Sequence, residues 1–324
     1  MRADQRGRPR DGSPRAAAEQ GPRAATRRRR RLLATLVLVA LVLAALGIVV
    51  LVVGGSSGAR RHIRTATGTA GPQTRSLPAR APGAARASPG VGPPAEVGRL
   101  ISLGKPIYCA GRRGDEIALT FDDGPGPYTR LMLDKLRKHG VQATFFVVGR
   151  NIPLVPGAVR AERGIGAVGD HTFTHPLLTA LPPAAAEQQI VGTQRALERA
   201  SGGHIFLFRP PYGRHDAAVD RIARSHGLLE ILWTVDSEDS LGADYAQIAH
   251  NVVAGLKPGA IILMHENRGQ TIRAMLGVFA ALRRRHLRAV SVPELLADDP
   301  PSPAQVRTGW SGCGVANRIR LSGG

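Results

Sequence analysis

From Glu116 onward, short apolar runs of strand length alternate with longer amphipathic runs, and this alternation narrows the possible folds more than any other feature. Residues 117–121, 143–148, 205–208, 230–235, 260–264 and 289–292 read as buried strands, with a weaker, glycine-rich one over 166–170. Residues 128–139 carry a helical stripe of Leu131, Leu133 and Leu136 and stop at Gly140. Further helices are predicted over 155–163, 183–200, 216–225, 245–254, 271–285 and 293–297. Strand and helix in repeated succession imply parallel strands with helices outside. Polar clusters stand at the ends of the apolar runs: Asp122 and Asp123, His171, Arg209, Asp236 and Asp239, and His265. A closed or distorted β/α barrel collects strand C-termini around one mouth, whereas an open sheet concentrates its site at a switch point. The pattern therefore predicts an α/β fold of the distorted (β/α)7 barrel type, occupying residues 100–324.

The first hundred residues have a different composition. Residues 1–31 are rich in Arg, Pro, Ala and Gly and residues 54–99 in Gly, Pro, Ser, Ala and Arg, without apolar periodicity. Neither stretch can bury enough apolar surface to offset its ordering entropy, so the reading is a disordered basic tail and a flexible linker. Between them, residues 32–53 form an uncharged apolar run preceded by five arginines, 27–31. At ~1.5 Å per residue a helix of this run spans roughly 33 Å, enough to cross a bilayer. The arginines keep the N-terminus cytoplasmic, which predicts a single-pass signal anchor with the C-terminal domain outside the cell. A cleaved signal peptide is the alternative, with the small residues 54–59 as a place to cut.

The net charge of +20 invites a nucleic-acid reading, but its distribution opposes one. Residues 1–99 hold 18 basic and 4 acidic residues, leaving a net of only +6 for the remainder. A basic block beside a membrane segment marks topology or anionic lipid contact. The two cysteines, Cys109 and Cys313, stand at opposite ends of the folded region; outside the cytoplasm they are disulfide candidates, the alternative being two unrelated thiols.

The chemistry lies in five short motifs. Thr120-Phe121-Asp122-Asp123-Gly124-Pro125 ends a strand with adjacent carboxylates, which repel unless a cation or a donor divides their tasks. His171-Thr172-Phe173-Thr174-His175 places two imidazoles four residues apart, a spacing that a helical turn would bring to one face. Arg209-Pro210-Pro211-Tyr212-Gly213 offers a guanidinium fork suited to orienting a carboxylate, followed by a turn whose N–H can donate to an oxyanion. Trp233 to Asp239 ends a strand in three acids, and Ile262-Leu263-Met264-His265 ends the next in a histidine whose pKa a nearby Asp would raise.

In this order the five closely resemble the motif set of the polysaccharide deacetylase family (NodB homology, carbohydrate esterase family 4), over residues 116–292. The resemblance implies a distorted β/α barrel and metal-dependent removal of acetyl groups from N-acetylated amino sugars. It also implies roles: Asp122 as base; Asp123, His171 and His175 as ligands of a divalent metal, usually zinc; Arg209 as holder of the base; and a Tyr212 N–H at the oxyanion. His265 is implied as general acid, tuned by Asp239, with Leu263 walling the acetyl-methyl pocket. Trp233 counts with Tyr212 and Leu263 as a substrate contact. One position departs: Asp239 is followed by Ser240 where the family usually has a Trp that helps hold the acetyl group.

An anchored, outward-facing domain on a linker reaching roughly 35–40 Å would meet cell-wall glycan, which makes peptidoglycan N-acetylglucosamine the first expectation. Chitooligosaccharide and acetyl-xylan are the next substrates, and a degenerate, glycan-binding module is the non-catalytic alternative. A phosphoesterase would call for a second metal cluster, for which the motifs offer no spare ligands. No motif sets an oligomeric state.

Overall fold

Strand β1 (Glu116–Gly124) is the spine of the domain, and its sequence shows why: it is buried along nearly its whole length, as a strand covered on both faces must be. The computed structural model describes residues 92–314. Parallel partners flank β1 on both edges: β2 (Thr144–Val147) beside its second half, β7 (Ile261–His265) on the other side, and β8 (Arg288–Val290) beside its first three residues. With β3 (Ala167–Asp170), β4 (Leu207–Phe208), β5 (Leu229–Glu230) and β6 (Val235–Asp236), the sheet runs β5-β4-β3-β2-β1-β7-β6, all parallel. The α/β class and the distorted barrel read from the alternation are the fold of this chain.

The single strand predicted over 230–235 is in fact two, β5 and β6, at opposite edges of the sheet. Ile231 N–H still donates to Phe208 O in β4, Leu232 N–H to Ile107 O, and Thr234 N–H to Ile261 O in β7. Residues 231–234 thus carry the chain from one edge to the other and curl the sheet. A continuous apolar run cannot reveal this, because both halves are equally buried.

Alternation along the strands separates two apolar layers. Ile117, Leu119, Phe121, Phe145, Ile262 and Met264 face outward to the helices α2 (Thr129–His139), α4 (Pro183–Ser201) and α7 (Gly269–Arg284). Ala118, Phe146, Leu207, Ile231, Ile261 and Leu263 face inward, meeting Val97 and Leu100 of α1 (Ala95–Leu103) and Leu295 and Leu296 of α8 (Val292–Asp298). The stripe on α2 is corrected in one place: Leu131 is exposed and Met132 is buried. Helices α3 (Ala158–Arg163), α5 (Ala217–Ser225), α6 (Tyr245–Gly255) and α9 (Pro303–Thr308) complete the set.

Helix α1 was not anticipated and begins five residues before the boundary placed at 100. Its neighbours are glycine- and proline-rich, but Val97 and Leu100, three residues apart, are fully buried, so packing overrides composition there. The basic tail (1–31), the apolar run (32–53) and residues 54–91 of the linker lie outside the described residues. Among the described residues, no helix is long and apolar enough to cross a membrane.

Cys109 and Cys313 are joined in a disulfide, their Cα atoms 6.0 Å apart. Around it, Gln305 Nε2 donates to Ala110 O, and Lys257 Nζ to Cys313 O. The bond closes a loop with a sequence separation of 204 residues. In a chain-entropy account that is worth on the order of 5 kcal/mol, an upper figure when strain or residual structure intervenes. Replacing both cysteines by serine is expected to lower the unfolding free energy by roughly 2–5 kcal/mol, read as a fall in the denaturant midpoint with a steeper slope, since the released unfolded chain exposes more surface.

Candidate active site

The site begins with parity. Ala118, Thr120 and Asp122 share the inner face of β1, so Asp122 points into the barrel mouth, with His265 of β7 as its Cα partner across the ladder. Asp123 would then point outward. It does not, because the register with β2 shifts between Asp122 and Gly124, and Asp123 takes a left-handed φ of 69°. Such a bulge re-aims a side chain at the end of a strand. Gly124 follows, and a Cβ there would displace the buried Glu266 carboxyl group. Two adjacent carboxylates thereby face one cleft.

The His171–His175 segment is not a helical turn, contrary to the sequence expectation; it is a loop. Thr172 (φ 65°) and His175 (φ 61°) are left-handed, conformations disfavoured by about 1–2 kcal/mol per residue that only surrounding contacts sustain. Those contacts are present. Buried Asp170 accepts from Thr172 N–H at 2.7 Å, Thr172 Oγ1 accepts from His175 N–H at 3.1 Å, and Thr172 O and Phe173 O accept from Gly149 and Arg150 N–H.

The loop brings both rings to Asp123. Its Oδ1 lies 3.4 Å from His175 Nε2 and 3.8 Å from His171 Nε2. A tetrahedral centre with ligand bonds of ~2.0–2.2 Å sets its donor atoms about 3.3–3.5 Å apart, so the trio fits a divalent cation. The tautomer fits as well: His171 Nδ1–H donates to Arg209 O at 2.7 Å, turning the Nε2 lone pair toward the other donors. Burial, then the neighbouring His175, pushes the His171 pKa down, so the ring stays neutral.

Beside this trio, Asp122 is held by Arg209, fully buried at the end of β4. One guanidinium nitrogen donates to Asp122 Oδ1 and to Thr120 Oγ1, both at 2.8 Å; the others donate to Ile231 O at 3.0 Å and Leu232 O at 3.3 Å. The Phe146 ring lies 4.1 Å from the guanidinium carbon. Burial raises the Asp122 pKa, and Arg209 works against that rise. Oδ2 remains outside the guanidinium contact, 3.6 Å from His171 Nε2.

On the other side, His265 Nδ1–H donates to Asp239 Oδ1 at 2.7 Å, while Asp239 Oδ2 accepts from His265 N–H and from Thr271 Oγ1–H. Burial alone would lower the His265 pKa, but the bond to Asp239 and its charge outweigh it, and the ring is pushed up to about 9. Asp236 is pushed up to about 6, chiefly by burial.

Asp122, Asp123, His171, His175, Tyr212, Trp233, Leu263 and His265, all expected from the sequence, line one open cleft of about 280 Å³. Arg209 and Asp239 stand behind it as supports. Tyr212 is left-handed (φ 62°) and half exposed, and buried Trp233 has no partner for its Nε1 among the described residues. Ser240 also lines the cleft, as do exposed Leu241 and Arg268. The sequence reading missed Thr120, Phe146 and Thr271. Thr120 shares the parity of Asp122 and was legible from it. Phe146 and Thr271 carry no such signal, since each reaches its partner from a separate element.

A His265 pKa raised above its unfolded value of ~6.5 means that the Asp239 pair stabilises the fold fully below pH 6.5, an effect lost as pH rises through about 9. Asp239→Asn removes the counter-charge and leaves the burial. The His265 ring in the metal-free protein is therefore expected to titrate below the wild-type value of about 9, as followed by NMR.

The sequence profile described as "Polysaccharide deacetylase" matches residues 110–231. The chain is 33% identical over 186 residues to a peptidoglycan-N-acetylglucosamine deacetylase of Bacillus cereus, spanning 56% of this chain and 68% of that protein. It is 34% identical to a chitooligosaccharide deacetylase of Bradyrhizobium, spanning 59% of this chain and 97% of that one. Its fold superposes on a family 4 carbohydrate esterase from Streptomyces lividans, solved in complex with acetate, with a TM-score of 0.52 at 37% identity, covering 56% and 93% of the two chains. The chain belongs to the polysaccharide deacetylase family, carbohydrate esterase family 4.

Proposed function

We propose that this chain removes acetyl groups from N-acetylglucosamine in cell-wall peptidoglycan, with zinc as the metal. The observation that carries this reading is the Asp123, His171 and His175 cluster standing beside a carboxylate, Asp122, that Arg209 holds outside the cluster. Two nitrogens and one carboxylate oxygen, with room for a fourth ligand, suit catalytic zinc. Bound there, the cation would supply Lewis-acid polarisation of the acyl oxygen and a lowered pKa for water.

The chain's own groups account for the proton movements. Asp122 Oδ2 faces the cleft and accepts the proton of the attacking water, while Arg209 keeps Oδ1 engaged and the carboxylate in place. The amide oxygen gains negative charge as the carbon becomes tetrahedral, and the Tyr212 N–H is the donor we assign to it. His265, protonated through Asp239, gives its proton to the departing amine, so acetate and a free amino sugar result. Leu263 and Trp233 wall the acetyl methyl. With Ser240 in place of a large ring, Leu241 is the apolar side chain beside it in the cleft.

The peptidoglycan reading draws on the Bacillus cereus relative and on the outward anchor read over residues 32–53. We place the domain outside the cell on a single-pass anchor, where a disulfide such as Cys109–Cys313 persists. A chitooligosaccharide substrate is the second reading, favoured by the Bradyrhizobium relative, of which this chain covers 97%.

Acetate release by the full-length chain tests the proposal on wall glycan, chitooligomers and acetyl-xylan, with and without chelator. Expected are release from wall glycan, its loss on chelation, and a drop of ~10²–10⁴-fold for Asp122→Asn with metal retained. Asp123→Ala is expected to lose the metal at this site. A fully active Asp122→Asn protein refutes the role of the base. Release from chitooligomers alone refutes the substrate, and tight glycan binding with no release at any metal loading makes the chain a binding module.

A further inference from the structure

A second cluster of metal-binding side chains lies away from the cleft, and none of its members lines it. His215 sits in the loop before α5, Asp220 in the first turns of α5, and Glu230 at the end of β5. One ligand atom from each falls within 4.8 Å of the others. His215 Nδ1 is 2.9 Å from Asp220 Oδ1, a hydrogen bond that a cation would replace, and 3.7 Å from Glu230 Oε1. These spacings bracket the about 3.3–3.5 Å between donors of a tetrahedral zinc centre.

Proximity alone would not single these residues out. Glu230 does. Its side chain is 4% exposed, and neither carboxyl oxygen has a hydrogen-bond donor among the described residues. A buried carboxyl without a donor needs a proton or a cation beside it. The remaining groups around the cluster are consistent with a metal ligand set. Tyr108 Oη lies 3.4 Å from His215 Nε2, so that Nε2–H can donate outward while Nδ1 faces the carboxylates. His215 and Asp220 keep 25% and 18% of their side chains exposed, which leaves a path from solvent. Lys105 and Arg224 line the adjoining hollow without bonding to either carboxylate.

We propose that His215, Asp220 and Glu230 form a second divalent-cation site, zinc-like in donor set, that ties the loop following Tyr212 to β5. The loop between β4 and α5 carries Arg209, Tyr212 and His215 in succession. A cation at its far end would brace the turn that presents Tyr212, and would fasten it through Tyr108 to the segment beside Cys109. The proposal is independent of the catalytic reading, since its residues and its readout are separate from those of the cleft.

The test is zinc stoichiometry of the full-length chain by equilibrium dialysis against Zn²⁺ alone, followed by metal analysis. Two zinc ions per chain are expected, one in Asp123→Ala, one in Glu230→Gln, and none in the double variant. In the Asp123→Ala background, zinc at a hundredfold excess over its Kd is expected to raise Tm by about 5–10 °C, and Glu230→Gln to abolish that rise. Should Glu230→Gln fail to fold, Asp220→Asn in the same background reads the same shift. An Asp123→Ala protein that binds no zinc and shows no shift overturns the proposal, and identifies the cluster as two carboxyl groups sharing a proton with a histidine.

Discussion

A single buried ion pair, Arg209 with Asp122, organises this active site. Arg209 is fully enclosed, and its donors are distributed over Asp122, Thr120 and two carbonyls of the strand-crossing segment. Removing either charge would leave the other buried without a partner, a loss of about 3–5 kcal/mol. The same residue reaches in two further directions. Its carbonyl accepts from His171 Nδ1 and so sets the face that His171 turns to a metal, and its guanidinium bonds to Ile231 and Leu232, where the chain crosses between sheet edges. One residue therefore links the proposed base, a histidine of the candidate metal trio and the segment that curls the sheet.

Around that pair, the mouth gathers most of the left-handed non-glycine residues among those described. Asp123, Thr172, His175 and Tyr212 all have left-handed backbone, and all four lie in the segments that form the cleft. Each turns a side chain or an N–H where regular structure would not. The strain is sustained by the strands β1, β3 and β4 that precede it, which are buried and paired on both edges. Asp170 shows how closely support and function are joined, since it ends β3 and also pins Thr172 within the histidine loop.

His265 and Asp239 form the opposite wall under a different balance. Burial disfavours the charged imidazole, and the neighbouring carboxylate favours it more strongly. Thr271, from the start of α7, fixes the second oxygen of Asp239, so the pair is held by three elements at once. The proposed base and acid thus sit in different surroundings: the Asp122 carboxylate beside a guanidinium, the His265 imidazole beside a carboxylate.

The strands were legible in the sequence as apolar runs, and once a strand is placed its two-residue period sets Leu263 and His265 of β7 on the same face, as it does Thr120 and Asp122 of β1. The order of the motifs was legible too, because each falls where an apolar run ends. What could not be read was how neighbours in sequence become neighbours in space. The chain itself determined the α/β class, the strand ends and the residue types available for chemistry, since these follow from local patterns of burial and polarity. Only the tertiary structure decided that Asp123 turns inward through a bulge, that the two histidines meet in a loop rather than a helix, and that 230–235 splits to close the barrel. The Glu230 cluster belongs to this second class as well. Each of these depends on contacts between segments distant in sequence, whose energies overrule the local preference of the backbone and leave no periodic trace.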